Sequence, residues 1–409
     1  MAARCYPSIY PDPAMTPRKE LPSIELFGGC GGLGLGLAQA GFHSVEFWEW
    51  DDDAVATARC NAASGVEHVR DWTICHGDVR IANWEPKRGS LALISGGPPC
   101  QAFAIGGKKR GHHDPRDMWP EAIRAIREAR PDAFLFENVR NLSGPRFSGY
   151  LDWIEHSLRH VSEPRGAREA HFDHLARLRR LPNAEYGTSV SVVNAADFGA
   201  PQERKRILVA GIRADLLVVP GHLEPTHSKD RLLWDQWVTG EYWQRHNLPC
   251  PSDESIPRPH SGAVARLRAK PILPVKRPWL TLRDAVADLG VPNGINHHLL
   301  QDGARSYAGH TGSPLDWPAK ALKAGDHGVP GGENTVRFED GTVRYLTLRE
   351  AARLVGLPDD FIFPVSWSES MRQLGNAVPA QLASAAGSWV RGLLESRTAL
   401  GTSRSRQAA

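Results

Sequence analysis

Three short segments carry residue types that could perform covalent chemistry on an unsaturated ring. Cys100 follows Gly96-Gly97-Pro98-Pro99, directly after the apolar run Leu91-Ala92-Leu93-Ile94. A thiol on a stiff proline turn at a strand end is a candidate nucleophile. The plainer reading is a buried thiol in a structural loop. Glu137 follows the apolar run 133–136, at the rim or floor of a pocket, where it could give or take a proton. In Gln202-Glu203-Arg204-Lys205-Arg206, alternation along an extended chain puts Gln202, Arg204 and Arg206 on one face. The plainer reading there is a solvated basic edge. Together the three segments supply a nucleophile, an acid and cations that would stabilise developing charge and lower the thiol's pKa.

A second group suits a bound nucleoside. The run Leu26-Phe27-Gly28-Gly29-Cys30-Gly31-Gly32 ends one strand and opens a helix. Its glycines let backbone approach a ligand, and the helix N-terminus favours polar groups. Glu49 ends the next strand, where a carboxylate can accept hydrogen bonds from ribose hydroxyls, and Trp50 offers a flat face to a purine. Asp78 and Val79 follow at a third turn, with Asp78 placed for an exocyclic amine. The order fits an adenosyl ligand. S-adenosylmethionine and a dinucleotide both remain open on these residues alone. The six cysteines include no CxxC pair, so neither a zinc site nor a redox pair is indicated and no metal is expected.

These residues need a scaffold. Strand-like runs at 23–27, 45–49, 91–95, 133–137, 189–194 and 207–212 alternate with helical patterns at 34–40, 53–61 and 120–129. Continuous apolar strands separated by helices predict a doubly wound, mostly parallel α/β sheet. The periodicity stops near Ala214, where prolines, histidines and the tryptophans Trp234, Trp237 and Trp243 become dense. The reading is therefore an N-terminal extension over 1–20 and a catalytic and cofactor-binding domain over 21–213. A smaller, irregular second domain follows over 214–342, then a return to the first over 343–396 and a disordered tail over 397–409. Helices are expected at 347–355 and 381–394. The formal net charge of +3 is too small to prove nucleic-acid binding, and no apolar run is long enough for a membrane span.

Six segments in order resemble the bacterial DNA (cytosine-5)-methyltransferase family of type II restriction-modification systems. They are 27–32, Gly97-Pro98-Pro99-Cys100-Gln101, Glu137-Asn138-Val139, Gln202-x-Arg204-x-Arg206, 344–354 and Gln373-Leu374-Gly375-Asn376-Ala377-Val378-Pro379. The resemblance covers roughly 22–213 and 343–395. Glu25 stands where the family usually has Asp, Gly28 replaces a common Ala, and Ala104 stands where Ser is usual.

The resemblance implies the S-adenosylmethionine-dependent methyltransferase fold, with 214–342 as a target recognition domain. It also implies a mechanism. Carbon 5 of cytosine is a weak nucleophile; a Cys100 thiolate adding at carbon 6 makes an enamine whose carbon 5 can take a methyl group. Glu137 would act at ring nitrogen 3 and the exocyclic amine, and Arg206, with Arg204 close by, at the ring carbonyl. Pro99, Asn376 and Val378 would join Phe27, Gly29, Cys30, Gly31, Gly32, Glu49, Trp50, Asp78 and Val79 around S-adenosylmethionine.

The substrate would be double-stranded DNA with the cytosine flipped out. Lys108, Lys109 and Arg110 would lie near phosphates, and Gln101 and Gln202 would also face the DNA. Basic residues over 159–180 offer either a further phosphate surface or a plain amphipathic helix. Loops over 318–334 could read base edges, with Ala321 where Thr is common. The short N-terminal extension suits a stand-alone, monomeric bacterial enzyme of the cytoplasm, with a cognate restriction endonuclease acting independently. The alternatives are a transfer RNA cytosine-5 methyltransferase, a DNA-binding regulator without catalysis and, more distantly, a nicotinamide dehydrogenase.

Overall fold

A computed structural model describes residues 21–99, 117–306, 311–324 and 334–407, the last eleven of these as backbone only. Seven strands form the central sheet: β1 (Leu21–Leu26), β2 (Phe42–Glu49), β3 (Ile74–His76), β4 (Leu93–Gly96), β5 (Ala133–Val139), β6 (Tyr186–Asn194) and β8 (Lys205–Arg213); the two-residue β7 (Gln202–Glu203) lies outside it. The sheet order is β3-β2-β1-β4-β5-β8-β6. Strands β3, β2, β1, β4 and β5 are parallel, and β8 runs antiparallel to both β5 and β6. Central strands β4 and β5 are buried along almost their whole length, the signature of a sheet covered on both faces.

The covering helices are α1 (Gly32–Gln39), α2 (Asp52–Ala63), α3 (Trp119–Ala129), α4 (Ser148–Arg159) and α5 (His171–Leu178). On one face Trp119, Ile123 and Ile126 of α3 and Trp153 and Ile154 of α4 pack against Ile94, Phe134 and Phe136. On the other, Leu33 and Leu37 of α1 meet Leu93, Leu135, Leu208 and the long last helix. The doubly wound α/β fold expected from the alternation is present, and β3 adds a strand that its three residues were too short to announce.

The second region is less irregular than its composition suggests. It contains α6 (Lys229–Trp237), α7 (Glu241–Arg245), α8 (Arg258–Ala269) and α9 (Leu282–Val286). Trp234, Trp237, Trp243 and Trp279 are the buried core of this small helical unit, packed with Leu232, Leu233, Val264 and Leu267. Residue 342 is not a packing boundary either. Leu282, Ala285, Ala319, Leu322 and Val336 share one core with Leu35, Phe47, Leu348 and Leu374.

The chain returns through α10 (Leu348–Leu354), α11 (Trp367–Asn376) and α12 (Ala380–Gln407). Thr347 and Glu350 form a reciprocal capping box at the start of α10. The helical backbone of α12 continues to Gln407, past the 397 boundary at which the sequence reading begins a disordered tail. The small and basic residues there still include Leu400, Arg404 and Arg406, which are compatible with helix.

Candidate active site

The first site is built at the carboxyl ends of β1 and β2. Phe27, Gly29 and Gly31 all adopt positive φ (59°, 57° and 92°), folding the chain sharply before α1, which Gly31 caps. Glu49 is buried and accepts three backbone N–H bonds: Gly29 at 2.7 Å, and Trp50 and Asp51 at 2.8 Å each. The carboxyl group thus holds the glycine loop to the end of β2 and keeps lone-pair capacity for one more donor. Beside it the Trp50 indole is 67% exposed, a large apolar surface that folding leaves uncovered. A Cβ on Gly29 would meet nothing within 4 Å, so the loop is open on that side. These features fit an adenosyl ligand.

Other expected contributors sit around this loop in different ways. Val79 is buried, and Asp78 is ion-paired to Arg80. Val378 is buried against Gly32, where a Cβ would come within 2.4 Å of the Val378 carbonyl oxygen, while Asn376 is exposed. Cys30 is buried with its thiol 3.8 Å from the Gln373 carbonyl oxygen, and burial pushes its pKa up to about 12. Its side chain is therefore a packed thiol, and only its backbone is available to a ligand. The carboxyls of Asp51, Asp53 and Glu369 approach one another, but Arg372 bridges Asp51 and Glu369 at 2.9 and 2.6 Å.

The second site lies at the ends of β4, β5 and β8. Val139 pairs with Arg206 in the antiparallel register, which carries the Arg206 side chain to Glu137. Arg206 Nε donates to Glu137 Oε1 at 2.6 Å, both side chains being largely buried. Gly97 lies beside the same carboxyl; a Cβ there would stand 3.5 Å from Glu137 Oε2. The adjacent Asn138 is buried and donates through Nδ2 to the Pro98 carbonyl oxygen at 3.0 Å. Asn138 has no role expected from the sequence; its position after the carboxylate is the one signal for it. Pro99 is half-buried at the end of this turn. Cys100, Gln101, Lys108, Lys109 and Arg110 lie outside the described residues.

Three expectations for the Gln202–Arg206 run need correction. The run is not one extended strand: β7 ends at Glu203 and β8 begins at Lys205, with Arg204 at the break. Gln202 is fully buried and donates to the Leu354 carbonyl oxygen at 2.7 Å, so it does not face DNA. Arg204 is 1% exposed and donates to the carbonyl oxygens of Leu322 (3.0 Å) and Gly375 (2.6 Å). It ties the second region to α11 and does not join Arg206 at Glu137. The packing there is close: a Cβ on Gly375 would lie 2.3 Å from the Ala324 nitrogen.

The basic residues of 159–180 are partly neutralised within the fold. Arg177 pairs with Glu163 and Glu169, and Arg179 with Asp152. Within this segment His171–Leu178 form the amphipathic helix α5.

A sequence model of the C-5 cytosine-specific DNA methylases matches residues 21–162, 170–243 and 298–390, well over half of the chain. The chain belongs to that family. It is a DNA (cytosine-5)-methyltransferase, and both sites described above fall within the matched blocks. Among similar proteins, the type II methyltransferase M.Eco47II of Escherichia coli is 28% identical over 396 residues, spanning 95% of this chain and 83% of its own. M.NgoMIV of Neisseria gonorrhoeae, also a type II methyltransferase, is 29% identical over 372 residues, spanning 90% and 96%.

Two crystal structures share the methylase's fold. One is a candidate DNA modification methyltransferase encoded within an E. coli prophage, with a TM-score of 0.52 and 23% identity over 92% of this chain and all of that one. The other is the Dnmt2 methyltransferase of S. pombe, with a TM-score of 0.51 and 16% identity over 92% and 99%. Among the described residues, no helix is long and apolar enough to cross a membrane.

Proposed function

We propose that this methylase transfers a methyl group from S-adenosylmethionine to carbon 5 of a flipped-out cytosine in duplex DNA, through a transient bond between Cys100 and carbon 6. The Glu137–Arg206 pair at 2.6 Å, set beside the turn that leads to Cys100, is the observation that carries the reading. A carboxyl and a guanidinium held together by the β5–β8 register can meet adjacent edges of one pyrimidine, nitrogen 3 and the ring carbonyl.

The residues divide the chemistry between them. Cys100 supplies the sulfur that bonds carbon 6 and later leaves by elimination, when the carbon 5 proton is removed. Glu137 holds a proton at nitrogen 3 while the ring accepts charge. Arg206 orients Glu137 and donates to the ring carbonyl. Asn138, bound to the Pro98 carbonyl, keeps the turn in place.

S-adenosylmethionine, bound between the glycine loop and Trp50, supplies the electrophilic methyl group. Glu49 would hold its ribose, Trp50 would stack on its adenine, and Asp78 would meet the exocyclic amine once released from Arg80. Phe27, Gly31, Gly32, Val79, Pro99, Asn376 and Val378 would complete the pocket.

The likeness to M.Eco47II and M.NgoMIV supports a protective role beside a restriction endonuclease. The test is transfer of a labelled methyl group to duplex genomic DNA and, in parallel, to transfer RNA, followed by bisulfite sequencing of the DNA. Label in DNA, with conversion-resistant cytosines in one repeated sequence, is expected. Label confined to transfer RNA would overturn the substrate assignment.

A further inference from the structure

Helix α11 is tied to the corner beside the glycine loop by an ion pair that the chemistry above does not use. Arg372 Nη2 donates to Asp51 Oδ2 at 2.9 Å, and Arg372 Nε donates to Glu369 Oε2 at 2.7 Å. Asp51 follows Trp50 and caps α2, its Oδ1 accepting from the Ala54 N–H at 3.0 Å. Its own N–H donates to Glu49 Oε1 at 2.8 Å, and Glu49 Oε2 holds the Gly29 N–H at 2.7 Å. On the other side, Gln373 Nε2 donates to Glu369 Oε1 at 3.2 Å, and the Gln373 carbonyl oxygen lies 3.8 Å from the Cys30 thiol. Cys30 is the next residue after Gly29. The contacts therefore close on themselves, from the glycine loop through the end of β2 to α11 and back.

The charges at this corner need their cation. Asp51, Asp53 and Glu369 bring carboxylate oxygens within 4.8 Å of one another, and like charges at that spacing repel. Arg372 stands between two of the three. Its side chain is 31% exposed, that of Asp51 34% and that of Glu369 17%. A forked guanidinium shared by two partly covered carboxylates holds its geometry better than a single surface pair.

Helix α11 has other anchors. Met371 and Leu374 are buried in the shared core, and Arg204 holds the Gly375 carbonyl oxygen near the far end. The helix therefore keeps its place in the fold without Arg372. What the ion pair adds is a fixed separation between α11 and the end of β2. Glu49 and Trp50 belong to one side of that gap. Asn376, the last residue of α11, and Val378 just beyond it belong to the other.

We propose that Arg372 is a positioning residue for the cofactor. Its bond to Asp51 holds α11 and the 49–51 corner at the separation that S-adenosylmethionine requires, before the ligand arrives. A pocket set in advance avoids the ordering cost that binding would otherwise carry. Arg372 touches no reacting atom; it acts through Asp51 and Glu49 on one side and through the 376–378 segment on the other. The proposal rests on the reading that S-adenosylmethionine lies between the glycine loop and Trp50, and it adds the residue that sets the width of that site.

The test is equilibrium dialysis of S-adenosylmethionine against the full chain and against Arg372→Ala, Arg372→Lys, Asp51→Asn and the Asp51→Asn/Arg372→Ala double variant, with initial rates on duplex genomic DNA. Arg372→Ala should raise the dissociation constant about 5- to 10-fold, below the loss for a fully buried charged hydrogen bond because the pair is partly exposed. KM for S-adenosylmethionine should rise by a similar factor, while kcat at saturating cofactor falls far less. Asp51→Asn keeps the α2 cap through its amide oxygen but gives up the charge, and should show part of the same loss. The double variant should be no worse than Arg372→Ala, because both changes break one contact. Arg372→Lys, which keeps the charge but not the fork, should recover part of the affinity. Salt at about 0.5 M should narrow the gap between Arg372→Ala and wild type by screening the repulsion among the three acids.

Wild-type cofactor affinity in Arg372→Ala would overturn the proposal. So would additive losses in the double variant, or a fall in Tm and kcat with the dissociation constant unchanged, which marks a bond that serves the fold alone. Trp50→Ala keeps the two readings apart. If it weakens S-adenosylmethionine and Arg372→Ala does not, the role of Arg372 fails by itself. If neither variant weakens it, the placement of the cofactor fails as well.

Discussion

Arg204 reaches across 171 residues of chain to donate a 2.6 Å hydrogen bond to the carbonyl oxygen of Gly375. A second bond from the same guanidinium holds Leu322, so one side chain clasps the sheet, the second region and the end of α11. Arg206, two residues on, points to Glu137 instead.

These two arginines should fail in different ways. Arg204→Ala leaves two buried carbonyl groups without their donor, at a cost of about 1–3 kcal/mol each. It should lower Tm by several degrees while the folded fraction keeps much of its turnover at low temperature. Arg206→Lys should leave Tm near wild type and cut kcat by roughly 100-fold, the scale for losing one aligned charge-stabilising donor. Differential scanning fluorimetry alongside single-turnover methylation separates the two. Equal losses of both quantities in both variants would contradict the division of labour.

Asn138→Ala removes the bond that holds the Pro98 carbonyl. Its hydrogen bond is to the turn that leads to Cys100, so the dissociation constant for S-adenosylmethionine should change far less than turnover. Turnover at saturating substrates should fall on the order of 10- to 100-fold, the penalty for a nucleophile misplaced by about 1 Å. A KM effect without a kcat effect would argue that the bond serves binding only.

Trp50 is the exposed indole beside the buried Glu49. Quenching of its fluorescence should report cofactor binding directly. Trp50→Ala should weaken S-adenosylmethionine about 10-fold or more, on the scale of lost aromatic stacking, with little change in DNA affinity. Equilibrium dialysis checks the first and anisotropy the second. Wild-type cofactor affinity in this variant would move the adenine elsewhere.

Glu25 is buried, and desolvation holds its pKa well above the usual carboxylate value, with the nearby Glu49 adding to the shift. Its Oε2 has no hydrogen-bond partner among the described residues. The folded state therefore holds this proton more tightly than the unfolded chain does. That preference stabilises the fold fully below the unfolded pKa and is lost as pH rises toward the folded pKa. Glu25→Gln, which mimics the protonated acid, should raise Tm at pH 8 and match wild type near pH 4. A Tm difference independent of pH would show that the side chain acts through packing alone.

Much of this architecture was readable from residue order. The runs around β1, β2, β4, β5, β6 and β8 are apolar and bounded by turns, and the glycine loop, Glu49, Trp50 and Glu137 sit at strand ends as their order implied. What escaped were consequences of distant contacts. Gln202 and Arg204 look like members of a polar face until the break at Arg204 and the pairing of Gln202 with Ala319 bury them. Trp234, Trp237 and Trp243 suggest an irregular segment until helical spacing gathers them into one core. Helix α6 starts with a Ser228 cap, a local signal that was present and outweighed by the surrounding prolines.

The central claim is the sulfur–carbon bond at Cys100, and trapping it is the most direct measurement. A duplex containing 5-fluorocytosine at the target should stall after methyl transfer, because no proton remains on carbon 5 to be removed. With S-adenosylmethionine present, the account predicts a denaturation-stable protein–DNA adduct that peptide mass spectrometry places on Cys100 and that Cys100→Ser cannot form. An adduct on another residue, or full-rate methylation by Cys100→Ala, would contradict it.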